Sequence, residues 1–106
     1  MPTKSQQHSI ARIKQEVEFI QQIAPIEMKR ISRQRKKQME KSYSDLSLHG
    51  HKLGIQVPRL SVLYNPKQYL EHANKVLDDV HKMYPEKSIE EYPLNGTRSF
   101  QIITEE

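Results

Sequence analysis

The chain reads as a mainly α-helical protein, a small helical domain ending in a short C-terminal β-hairpin. Three observations predict this. Apolar residues recur every three or four positions through most of residues 6–83, the period of a helix that buries one face. The strongest breaks in that pattern, at Pro25, Gly54 and Asn65-Pro66, are helix-stop or helix-start chemistry. Alternation of apolar and polar residues, the mark of a strand, is confined to short stretches at 60–64 and 99–102. With 106 residues, 35% of them hydrophobic and none of them Cys, there is room for one thin core without disulfides.

The expected order is a loose N-terminus (1–5), a helical domain (6–84) and a tail (85–106). The first helix covers about Gln6 to Ala24, where Ile10, Ile13, Val17, Ile20 and Ala24 form one stripe and Phe19 and Ile23 widen it. Thr3 or Ser5 caps its start. Pro25 ends it, since proline lacks the amide hydrogen and disfavours helical backbone at Ala24. A second helix then runs through 26–49, and so short a joint makes the pair a helical hairpin. Gly54 terminates that helix, with Ile55 as the apolar contact of a glycine cap. A short third helix follows Pro58 and reaches Tyr64. A fourth opens on Asn65-Pro66 and carries Tyr69, Ala73, Val76, Leu77, Val80 and Met83 on one face. In the tail, Asn95-Gly96 is a hairpin signal, with Phe100 and Ile102 alternating with polar neighbours.

Charge is distributed more tellingly than the net +4 shows. Residues 1–65 hold twelve Lys/Arg against five Asp/Glu, while 66–106 hold five against eight. The basic centre is residues 29–41, with seven Lys or Arg and one acid, Glu40. On a single helix, Lys29, Arg30, Arg33, Lys36, Lys37 and Lys41 share one side. Arg35 falls among the apolar residues Met28, Ile31, Met39, Tyr43 and Leu46. Like charges four apart, as in Arg33, Lys37 and Lys41, cost an isolated helix stability. That cost points to an anionic partner.

Residues 46–65 have the layout of a helix-turn-helix. Counting from Leu46, the small Gly50 stands fifth, Leu53 eighth, Gly54 ninth, Ile55 tenth, Leu60 fifteenth and Leu63 eighteenth. With the apolar-striped helix that follows, residues 46–83 resemble the helix-turn-helix of the Cro/CI-type phage repressors. The resemblance implies a recognition helix whose Gln56, Arg59 and Ser61 face the major groove, where Gln and Arg suit base edges. The basic helix would lie along phosphates. A plainer reading stays open: a glycine-kinked connection, then an extended segment in which Leu60, Val62 and Tyr64 alternate with their neighbours and pair with 100–103.

No constellation for catalysis or metal binding is present. His49 and His51 diverge on a helix, Asp78-Asp79 and Glu90-Glu91 are adjacent and splay apart, and no phosphate-cradling glycine loop occurs. The expectation is therefore a non-enzymatic, intracellular protein without cofactor, small-molecule substrate or membrane span. Its expected partner is DNA or RNA, gripped by Lys29, Arg30, Arg33, Arg35, Lys36, Lys37 and Lys41 with Gln56, Arg59 and Ser61 adding contacts. The alternative is a protein-interaction module, a phage-type inhibitor or adaptor that docks through the same basic helix on a host protein or a ribonucleoprotein complex, or on a second copy of itself.

Overall fold

A computed structural model of the chain describes residues 3–84. The β-hairpin expected around Asn95-Gly96, and the rest of the tail, lie outside the described residues. Within them the architecture is three helices: α1 (Lys4–Lys29), α2 (Arg33–Lys52) and α3 (Pro66–Met83). Thr3 starts α1 with a reciprocal cap. Its hydroxyl accepts from the Gln6 amide at 3.1 Å, and the Gln6 side chain accepts from the Thr3 amide at 2.8 Å. Thr3 to Ser5 are thus tied into the first turn rather than loose.

Pro25 does not end α1; the helix passes through it to Lys29. Both Pro25 and Gln21, whose carbonyl loses its amide partner, are on the exposed side of the helix, where an unmade backbone bond costs least. On the opposite side the stripe Ile20, Ile23, Ala24 continues to Glu27, and all four are buried. Tertiary burial of that last turn outweighs a local proline penalty of about 3 kcal/mol. The break falls instead at Arg30–Ser32, so the basic run is divided between two helices. Lys29 ends α1, Arg30 is its C-cap, and α2 begins at Arg33.

The two helices form the expected antiparallel hairpin. Contacts step down it in order: Glu27 to Arg35, Glu16 to Ser42, Arg12 to Asp45 and Ser9 to His49. Helix α3 opens as expected, with the Asn65 side chain accepting from the Lys67 amide and Pro66 at the first helical position. It also packs antiparallel to α1, as shown by the Tyr64–Glu27 and Gln21–Asn74 hydrogen bonds. Helices α2 and α3 are therefore parallel to each other, with Tyr43 edge-on to Tyr69 at 5.4 Å between ring centres. The core gathers Ile10, Ile13, Val17, Ile20 and Ile23 of α1 with Met39 and Leu46 of α2 and Ala73, Val76 and Val80 of α3.

Parallel α2 and α3 require the chain to travel back the length of the domain, and residues 53–65 do so as a strap. Gly54, at φ 79°, reverses the direction: the Ile55 amide donates to the Gly50 carbonyl and the Gly54 amide to His51, while Ile55 is buried as the apolar contact. Beyond it, residues 55–65 contain no helix. The short helix expected through 58–64 is absent, and the helix expected fourth is the third. The segment is non-helical, as the plainer reading expected, and no strand occurs among the described residues; the expected partner of that segment, 100–103, lies outside them. Gly50 is small for a different reason than a helix crossing. A Cβ there would stand 2.8 Å from Val57 Cγ2, so the strap itself presses on α2 at that point. Tyr43 then pins the strap by donating to the Pro58 carbonyl; burial, with Tyr69 adding, pushes its phenol up to about 12 and keeps it a donor.

Candidate nucleic-acid interface

Because α2 and α3 are parallel, both N-termini lie at the end of the molecule where α1 finishes. Helix N-termini carry partial positive charge and unsatisfied amides. Neither first turn holds an acid. Instead, Arg33 and Lys36 stand at the start of α2 and Lys67 at the start of α3, with Lys37 on the next turn of α2. Lys29 and Arg30 close α1 beside them. Lys36 is half-buried and the others are exposed. None of these six, nor Lys41 one turn along α2, forms an ion pair with another described residue. Ser32, the N-cap of α2, makes no side-chain cap hydrogen bond.

Beneath these cations is a buried polar centre built on Glu27. One carboxylate oxygen accepts from the Ser32 amide at 2.8 Å and from Arg35 Nε at 3.0 Å; the other accepts from the Tyr64 hydroxyl. Arg35 Nη2 also donates to the Arg30 carbonyl at 2.7 Å. Glu27 and Arg35 are both fully buried, so each charge depends on the other. Burial and the bond to Glu27 raise the Tyr64 phenol well above its ordinary value, which keeps it protonated and donating. On its outer side, the Tyr64 ring carries the Lys36 ammonium 5.3 Å from its centre. The α1–α2 corner and the end of the strap are thereby fixed together.

The residues expected at the interface divide accordingly. Lys29, Arg30, Arg33, Lys36 and Lys37 meet at the corner, and Lys41 extends the exposed line down α2. Arg35 does not belong with them: its guanidinium is buried against Glu27 and cannot reach a phosphate. Gln56, Arg59 and Ser61 sit on the strap rather than on a recognition helix. Gln56 and Arg59 line an open cleft of about 830 Å³ with Ser47, His51 and Lys75, away from the corner. Ser61 lies near the corner with its groups engaged, the amide donating to the Gln68 side chain and the hydroxyl to the Leu63 carbonyl.

Lys67 was not among the expected residues, although Asn65-Pro66 places it in a first turn; only the parallel packing of α2 and α3 brings it to the corner. Leu63 was expected as a packing position of a second helix, and it stands in solvent with Val62 at the turn of the strap. Comparison with known proteins adds no relative: no family model, no curated protein and no solved structure matches the chain.

Proposed function

We propose that this is a non-catalytic nucleic-acid-binding protein that grips the phosphate backbone with the end formed by the α1–α2 corner and the start of α3. The observation that supports this reading most is the gathering of Lys29, Arg30, Arg33, Lys36, Lys37 and Lys67 around two helix N-termini with no acid in either first turn. Cations at the N-terminus of a helix oppose its dipole and one another, a local cost that a polyanion reverses. Buried Glu27 adds no net negative charge there, because Arg35 neutralises it.

The test is a salt series of fluorescence anisotropy with duplex DNA, single-stranded DNA and structured RNA. About six phosphate contacts predict a log–log slope near −5 on duplex DNA, and Arg33→Ala, Lys36→Ala and Lys37→Ala together reduce it to about −3. The ligand with the highest affinity at a fixed salt concentration identifies the nucleic acid. Absence of binding at low salt overturns the proposal. The second reading, an acidic protein partner, is favoured by the exposed Met28 and Ile31 beside the same cations. In that case a protein captured by the wild type is lost with the triple variant, and no nucleic acid binds.

A further inference from the structure

The strap places two aliphatic side chains where a soluble surface gains nothing from them. Val62 and Leu63 are 104% and 80% exposed, against a core whose Ile and Leu side chains are almost wholly covered. They are held there by a built turn. Ser61 is fixed on both its amide and its hydroxyl, the latter to the carbonyl of Leu63. The next residue, Tyr64, is anchored from below by Glu27 and covered by Lys36. Asn65 then caps α3. Immobilised neighbours on both sides make this a rigid projection. Cations flank it from two elements, Lys36 on α2 and Lys67 on α3.

We propose that Val62 and Leu63 form a wedge that inserts between neighbouring base pairs of a duplex while the flanking cations hold the phosphates. The inference rests on the nucleic-acid reading above and specifies how the duplex is engaged. An aliphatic tip flanked by lysines matches the chemistry of partial intercalation: the apolar group replaces a stacking contact, and the neighbouring charge holds the kinked backbone. The other polyanionic surface that takes an apolar tip with cations is an anionic bilayer. It is disfavoured by the absence of an exposed Trp or Phe among the described residues and by the narrowness of the tip, two adjacent side chains rather than a helix face.

The 106-residue chain is titrated into a duplex carrying fluorescent aminopurine, which brightens when its stacking is lost. The wild type brightens the probe on saturation. Val62→Ser with Leu63→Ser abolishes that rise, weakens binding by roughly tenfold and leaves the salt slope in place, because no phosphate contact is removed. Both residues are solvent-exposed, so circular dichroism of the double variant matches the wild type. Salt-dependent binding without brightening, or brightening that the double variant retains, overturns the wedge and leaves the phosphate-binding reading standing. No duplex binding at low salt overturns the wedge, and overturns the phosphate-binding reading as well only when single-stranded DNA and structured RNA also fail to bind. Vesicles of equimolar phosphatidylcholine and phosphatidylserine serve as the last arm: binding to them that the double variant loses, with no brightening of the duplex, assigns the tip to a bilayer and overturns the proposal.

Discussion

Replacing Glu27 by Ala removes one partner from a buried charge cluster, and the consequence follows from who is left behind. Arg35 remains fully buried, still donating to the Arg30 carbonyl but without the carboxylate that balanced its charge, while the Ser32 amide and the Tyr64 hydroxyl lose the acceptor they shared. Breaking a buried ion pair from one side costs about 3–5 kcal/mol. A domain of this size holds only about 5–15 kcal/mol in total and more often the lower part of that range. With an urea m-value of about 1 kcal/mol/M, the midpoint should fall by roughly 3 M or more. Arg35→Met is expected to cost less, because Glu27 retains the Ser32 amide and the Tyr64 hydroxyl. Glu27→Leu with Arg35→Met removes both charges and should recover most of the loss, giving a coupling well above about 1 kcal/mol in a double-mutant cycle. Urea unfolding followed by circular dichroism measures all four proteins. A Glu27→Ala cost below about 1 kcal/mol, or additive single costs, would refute the view that this pair is buried and mutually dependent.

Other perturbations test the remaining elements. Gly50→Ala sets a methyl against Val57; the clash, about 1–3 kcal/mol, cancels or outweighs the helix-propensity gain of about 1 kcal/mol, so the variant should unfold at no higher urea than the wild type, and adding Val57→Ala should raise its midpoint. Pro25→Ala restores an amide hydrogen inside a continuous helix and should stabilise the protein by about 2 kcal/mol; destabilisation in the same urea experiment would show that α1 ends where the sequence pattern alone puts it. His49 is buried against Ser9 and His8, and burial first, then Lys52, Arg12 and His8, lower its pKa below the usual 6.5, with Asp45 opposing. The unfolded chain therefore binds the proton more readily. The contribution of His49 is fully present above pH 6.5 and lost as pH falls through the lower folded value. Thermal melts across that window should lose this slope in His49→Gln.

Local chemistry wrote much of the fold into the sequence. The stripe from Ile10 to Ala24, the Gly54-Ile55 cap and the Asn65-Pro66 start each act within a few residues, where backbone sterics and one hydrogen bond decide the outcome. Their structure follows the pattern closely. The candidate phosphate-binding residues were legible for the same reason, since charge is a property of side-chain type: Lys29, Arg30, Arg33, Lys36, Lys37 and Lys41 are exposed or partly so. Tertiary structure decided what local rules could not. Burial of Glu27 carried α1 past Pro25 and moved the helix break to Arg30–Ser32. The same carboxylate drew Arg35 out of the basic set, because a charge buried at Glu27 needs a buried counter-charge beside it. The spacing of Gly50, Leu53, Gly54 and Ile55 fits either a second helix or a strap. Only packing against α2, with Val57 on Gly50 and Tyr43 on Pro58, selects the strap. That choice makes α2 and α3 parallel, and so puts two helix N-termini, Lys67 and the exposed Val62–Leu63 tip beside a basic corner that the sequence had already marked.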